Sequence, residues 1–261
     1  MTFKENPSGP IIDVNVRVGK SAYGLELSGK QCLSLMDEYG IQISVISAFT
    51  PCDYSFERAN SAIERIVREY PSRLKGMVRV DPRIDGSQNV LRKFLRKKSF
   101  VGVSLNPFEQ AFKVTDPVVR PAYEIAEQFN CPVMIESGYS IVSLPSQVAE
   151  VAAEFRKVNF IMTHAGQLLA SGQSESDSLY SISENRNLYC DTSQIILSGI
   201  GGFIEQVVKS NENGSKRRVM FGSNSPSGEI SVELLRVQKS NIDEHEKELL
   251  FFENAKKLFD I

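Results

Sequence analysis

Asp13, Asn15 and Arg17 alternate with Val14, Val16 and Val18 in the stretch IIDVNVRVG at 11–19. Side chains alternate across a strand. Ile12, Val14, Val16 and Val18 are therefore expected to share one buried face, with Asp13, Asn15 and Arg17 on the other. A polar face on an N-terminal strand looks either into water, as on a sheet edge, or into a cavity where each polar group has a partner. The guanidinium of Arg17 is a permanent cation without an acceptor lone pair, so it can bind a carboxylate and cannot ligate a metal.

The elements that must position these groups follow a regular alternation. Short β-branched runs occur at 11–16, 41–47, 76–80, 101–105, 132–135, 159–163, 188–191 and 219–221. Helical periodicity fills the intervals, for example at 56–70, 116–129, 145–155, 229–237 and 242–259. Eight strands alternating with helices in 261 residues match the count and size of a (β/α)8 TIM barrel forming one domain over 1–261. A doubly wound open sheet is the alternative, but no glycine-rich phosphate loop follows the first strand.

A barrel puts its chemistry at the C-terminal ends of its strands. Those positions hold Asn15 and Arg17, then Cys52, Asp53 and Tyr54, then Arg79 and Asp81, then Asn106. They continue with Glu136, Ser137 and Tyr139, then His164, then Asp191, Thr192 and Ser193, and finally Ser223, Asn224 and Ser225. Nearly every strand end is polar, which predicts a site or the remains of one. His164 at a strand end favours a site role over a satisfied core histidine. His245, among Asp243, Glu244 and Glu246, reads as a surface residue. Cys52 could be a nucleophile but has no histidine near it in sequence. Asp13 is expected to tie the first strand to its neighbours, Ser223 and Ser225 to bond within their loop, and Tyr139 and Tyr54 to wall the cavity.

Composition narrows the partners. A formal charge of -2, with basic and acidic residues interspersed, argues against nucleic acid. The basic stretch at 92–98 reads as the solvated end of a helix. No apolar run is long enough to span a membrane, and MTFKEN at the start lacks a signal-peptide core. The four cysteines show no metal or CxxC spacing, which suggests reduced thiols and a cytoplasmic protein. A homo-oligomer is compatible with the sequence.

Together these segments resemble the amidohydrolase superfamily, in the amidohydrolase-related branch that contains aminocarboxymuconate-semialdehyde decarboxylase and pyrone-dicarboxylate lactonase. The resemblance is carried by IIDVNVRVG at 11–19, YPSRLKG at 70–76 with VDP at 80–82, FVGVSLNP at 100–107 and CPVMIESG at 131–138. FIMTHAG at 160–166, NLYCDTS at 187–193, FGSNSP at 221–226 and NAKKLF at 254–259 complete it. Such enzymes usually hold a divalent metal with two first-strand histidines, a fifth-strand histidine and an eighth-strand aspartate. The corresponding positions here are Asn15, Arg17, Glu136 and Asn224, a poor ligand set. The resemblance therefore implies a distorted, amidohydrolase-like barrel with degenerate metal positions, no metal and no cofactor. In place of the metal, Arg17 and Glu136 are expected to form an internal ion pair.

The function this implies is a metal-independent hydrolase or lyase acting on a small anionic, carboxylate substrate. Arg17 would anchor the carboxylate, His164 would act as acid or base with Glu136 as its partner, and Asn15, Asn106, Asn224 and Tyr139 would contact the ligand. The alternative is a catalytically inactive pseudoenzyme that binds a ligand or partner.

Overall fold

The computed structural model describes residues 7, 9–167, 175–195, 202–210 and 212–261. Its strands are β1 (Ile12–Lys20), β2 (Glu26–Leu27), β3 (Ile43–Ala48), β4 (Leu74–Arg79), β5 (Phe100–Leu105), β6 (Val133–Ile135), β7 (Phe160–Met162), β8 (Leu188–Asp191) and β9 (Val219–Met220). They form one curled sheet in the order β2-β1-β3-β4-β5-β6-β7-β8-β9. All eight runs expected from the sequence are strands, and all pair in parallel. The short β2, which pairs antiparallel with Gly19 and Lys20 at the end of β1, is an addition. The curl brings the segment after β9 against β1: Val14 N donates to Phe221 O at 3.0 Å and Arg17 N to Ser225 O at 2.9 Å.

Between the strands run α1 (Gly29–Tyr39), α2 (Phe56–Glu69), α3 (Ser87–Leu95), α4 (Arg120–Gln128), α5 (Pro145–Glu154), α6 (Glu175–Glu184), α7 (Gly202–Ser210) and α8 (Ile230–Lys239). The chain ends in α9 (Glu244–Glu248) and α10 (Asn254–Phe259), joined by a π-helical turn at Leu249–Glu253. Local sequence explains several boundaries. The Ser28 hydroxyl accepts the Gln31 N–H while Gln31 Oε1 accepts the Ser28 N–H, a capping box that starts α1. Gly40, at φ 70°, ends it in the left-handed conformation. The expected helix at 116–129 begins only at Arg120, because Pro121 fits the first turn of a helix and not its interior.

The regular alternation expected for β1 does not hold, and the exception matters most for the site. The pairing of β1 with β3 runs Ile12↔Ile43 and Asp13↔Ser44, then resumes at Val16↔Ile46. One extra residue of β1 is accommodated in a bulge, which flips the faces of the strand beyond it. Ile12 and Val14 accordingly pack with Val45, Met77, Met134, Ile161 and Met220, a layer that α10 covers with Ala255 and Phe259. Val16 and Val18 instead join the larger cluster between the sheet and the surrounding helices. Side chains from six of the parallel strands meet in the smaller layer, so it lies on the concave face of the sheet. Past the bulge that same face receives Asn15 and Arg17.

Phe259 is 5 % exposed and closes the smaller layer. Removing a buried phenyl ring leaves a cavity and typically costs ~3–5 kcal/mol. Phe259→Ala should lower the midpoint of urea unfolding by that loss divided by the slope, with the slope itself unchanged. A midpoint equal to wild type would mean that α10 does not seal the concave face.

Candidate functional site

The strand ends deliver a buried set of charged groups to the concave face. Arg17 leaves β1 after the bulge, Arg79 ends β4, Glu136 follows β6, His164 follows β7 and Asp191 ends β8; each is at least nine-tenths buried. Glu109 joins them from the loop after β5. One guanidinium nitrogen of Arg17, Nη2, bonds Glu136 Oε2, and the other, Nη1, lies 3.7 Å from Glu109 Oε1. Glu109 Oε2 accepts from Arg79 Nη2 at 2.6 Å and from the Thr50 hydroxyl, while Arg79 Nη2 also donates to Thr50 Oγ1 at 3.0 Å. Charge therefore alternates along the chain Glu136–Arg17–Glu109–Arg79.

His164 extends this network on the other side of Glu136. Its Nε2 lies 3.0 Å from Glu136 Oε1, and its Nδ1 lies 3.1 Å from the Ser193 carbonyl and 2.9 Å from the Ser193 hydroxyl. Asp191 Oδ1 accepts the backbone N–H groups of His164 and Ser193, each at 3.0 Å, and the Ser193 hydroxyl. Its other oxygen accepts Asn15 Nδ2 at 3.0 Å. With the Ser193 proton committed to Asp191, both ring nitrogens of His164 face acceptors, an arrangement that suits the imidazolium. Burial opposes that charge, but the Glu136 carboxylate outweighs it and raises the His164 pKa above its ordinary 6.5. Burial likewise opposes ionisation of Glu136, yet Arg17, His164 and Arg79 draw its carboxyl down to about 2. Burial lowers Arg79 to about 10, which leaves it charged near neutral pH. Arg17, Arg79 and the His164 imidazolium thus face the carboxylates of Glu109 and Glu136, while burial raises the pKa of Asp191 and lifts that of Asp13 to about 7.

Two consecutive non-glycine residues, His164 at φ 57° and Ala165 at φ 46°, adopt the left-handed conformation here. Such geometry is costly and is retained where surrounding bonds enforce it. The Asp191 bond to the His164 N–H is one of them. Asp13 does what was expected of it, accepting Ser223 N at 2.9 Å and the Ser223 hydroxyl at 2.6 Å, and so ties β1 to the segment after β9.

Of the residues singled out in the sequence, Arg17, Glu136 and His164 come together directly, and Asn15 joins them through Asp191 and Ser193. Asn224 lies in the following shell, donating to Gln194 Oε1 at 2.8 Å, with its own Oδ1 buried and without a partner among the described residues. The Asn106 oxygen caps the Glu109 N–H at 3.0 Å, so it holds the loop that carries Glu109. Tyr139 stacks on Phe108 with ring centroids 4.3 Å apart. Burial and then the Glu136 charge push its hydroxyl pKa upward. Cys52 is exposed, with its thiol 3.7 Å from Ser21 O, and His245 is exposed and pairs with Glu248.

Glu109 was missed. A loop glutamate has no periodic signature, although Asn106 three residues earlier is a turn-forming cue. Arg79, Asp191 and Ser193 stood out only as polar strand ends, because contacts between distant strands are not written in local sequence.

The profile of the amidohydrolase family matches residues 27–261. The chain belongs to the amidohydrolase family. No curated protein matches it in sequence. Among solved structures it resembles 5-carboxyvanillate decarboxylase from Sphingomonas paucimobilis, with a TM-score of 0.73 at 13% identity over 97% of this chain and 99% of that one. It also resembles a probable 2-pyrone-4,6-dicarboxylic acid hydrolase from Acinetobacter baumannii with citric acid bound, at 0.72, 18% identity, 96% and 99% coverage. A third is a dihydroxybenzoic acid decarboxylase from Polaromonas with bound manganese and an inhibitor, at 0.73, 15% identity and 97% coverage of both chains.

A divalent ion such as that manganese does not suit the donors that this chain brings together here. Both Glu136 oxygens face cations or their donors, both His164 nitrogens are engaged, and Arg17 brings positive charge to the same point. Among the described residues no group of three or more histidine, cysteine, aspartate or glutamate side chains could hold a metal.

Breaking a buried ion pair by removing one member typically costs ~3–5 kcal/mol, because the remaining charge is stranded. Arg17→Met should lower stability by that order, and adding Glu136→Leu should recover part of it. Harmless single changes would show the two groups to be solvated. The pH dependence has two arms. Glu136, lowered from 4.5 to about 2, contributes stability that is present above 4.5 and lost as pH falls toward about 2. His164, raised above 6.5, contributes stability that is full below that value and lost as pH rises through the raised one. The melting-temperature gap between wild type and His164→Gln should therefore narrow as pH rises above 6.5. A constant gap would mean that His164 is neutral in the folded protein.

Proposed function

We propose that this chain is a distorted (β/α)8 barrel whose concave face works as a metal-independent lyase or hydrolase for a small carboxylate. Closure of the barrel is supported by the two backbone bonds from β1 to Phe221 and Ser225. The functional reading rests on one observation: a cation and an imidazolium share the carboxylate of Glu136, Arg17 on Oε2 and His164 on Oε1. An anion anchor and a proton donor thus lie within reach of one substrate. Arg17 holds the substrate carboxylate, and His164 supplies the proton from Nε2 as a general acid. Asp191 and Ser193 orient the ring and stabilise its charged form. Asn15 and Asn224 offer amides to polar atoms of the ligand, Asn106 positions the neighbouring loop, and Tyr139 walls the entrance. The decarboxylases and the hydrolase of similar fold act on carboxylates by their names, which supports the substrate class and not any one substrate.

Free thiols at all four cysteines support a reducing, cytoplasmic location. Among the described residues no helix is long and apolar enough to cross a membrane.

A second reading, a pseudoenzyme that binds a ligand or partner, is favoured by the mutual neutralisation of the charged groups. The two separate by experiment. Protein stripped with EDTA should keep its melting temperature and be stabilised by some dicarboxylates or aromatic acids, by RT ln(1 + [L]/Kd). Those shifts should disappear in Arg17→Met, while His164→Gln should keep binding and lose turnover. A stoichiometric metal whose removal destabilises the fold would overturn metal independence. Absence of any shift at millimolar ligand would leave the pseudoenzyme.

A further inference from the structure

Arg79 is the largest fully buried side chain of the described residues, 1 % exposed. Its backbone is pinned to α2: Asn60 Nδ2 donates to Arg79 O at 2.7 Å and Arg79 N donates to Asn60 Oδ1 at 2.9 Å. The guanidinium is thereby fixed on the concave face, but its donors are only partly used. Nη2 serves Thr50 and Glu109, while the buried Nε has no partner among the described residues. An unused N–H on a buried guanidinium is costly, and a carboxylate lying along the Nε–Nη2 edge would take both donors at once. Glu109 takes only one of them, because its second oxygen is drawn toward Arg17.

Glu109 is also the member of the network best placed to leave. It lies on a loop, and its side chain is 16% exposed, against 9% for Arg17, 5% for Glu136 and 1% for Arg79. The loop backbone is held independently of that carboxylate. Glu109 N donates to Asn106 Oδ1, Gln110 N to Asn106 O at 3.1 Å, and Gln110 Nε2 to Val80 O at 3.0 Å. Only the side chain has to swing out.

We infer that Arg79, Arg17 and Thr50 form a carboxylate-binding site that Glu109 occupies in the free protein, and that a ligand carboxylate binds by displacing it. The inference rests on the carboxylate reading proposed above and adds how the substrate gains entry. With Glu109 already between Arg79 and Arg17, an incoming anion would meet a like charge in a poorly solvated interior. Exchanging one carboxylate for the other leaves the local charge unchanged, and the free ligand, without a tether, satisfies Arg79 bidentately. Glu109 is then a resident competitor whose removal raises affinity.

The test compares benzoate with benzamide, its uncharged counterpart, by calorimetry on wild type, Glu109→Gln, and Glu109→Gln with Arg79→Gln. Glu109→Gln should bind benzoate about tenfold more tightly than wild type, the usual scale for removing one nearby like charge. Benzamide should not gain, and Arg79→Gln should cancel the gain. Equal benzoate affinity in wild type and Glu109→Gln, or a gain that survives Arg79→Gln, overturns displacement but leaves Arg17 and His164 as the site. Benzoate binding to neither protein overturns the displacement as well and counts against the carboxylate reading itself. Should Glu109→Gln fail to fold, Glu109→Asp keeps the charge but shortens the reach to Arg17. It should give a smaller gain, and unchanged or weaker benzoate binding there overturns the inference.

Discussion

The ion-paired chain from Glu136 through Arg17 and Glu109 to Arg79 is the constraint on which the rest of the molecule depends. Ions removed from water cost several kcal/mol each unless partners and hydrogen bonds compensate them. Here each member has an opposite charge on at least one side, and the strands are arranged to keep it there. The bulge in β1 turns Arg17 inward, Asn60 pins Arg79, and the left-handed residues after β7 aim His164 at Glu136. None of these features is favourable alone. They are consistent only with each other, and together they depart from locally ideal structure.

Below that charged level the interior is of opposite character. Ile12, Val14, Val45, Met77, Met134, Ile161 and Met220 fill it without polar atoms, and α10 packs beneath them. The same strands thus carry an apolar half and a polar half along their length. For β1 the boundary is the bulge itself. A dry lower half lowers the effective dielectric beneath the ion pairs, which strengthens each attraction and makes any missing partner more expensive.

Much of this was legible in the sequence. The alternation of β-branched runs with helical periods placed all eight parallel strands, and polar residues at their ends are the ones gathered at the candidate site. The pairing of Arg17 with Glu136 followed from charge logic once a cation stood where the family keeps a ligand. What stayed hidden had physical reasons. Strict alternation put Val16 with Ile12, because a bulge is a property of pairing with β3 and not of the strand alone. Glu109 gave no signal, because its role depends on Arg79, 30 residues earlier in the chain and on another strand. The short β2 depends on where β1 ends, and the late start of α4 depends on Pro121, a cue that periodicity alone overlooks. Structural likeness at 13–18% identity carries the scaffold across the family, but the charged groups at the strand ends belong to this chain and had to be read from it.

The closed underside has a kinetic meaning. With Phe259 and Ala255 packed under the interior layer, that end of the concave face is shut to any ligand. For the lyase or hydrolase proposed above, reactant and product would both have to enter and leave at the strand ends, so they would exclude each other and inhibition by the product would be competitive.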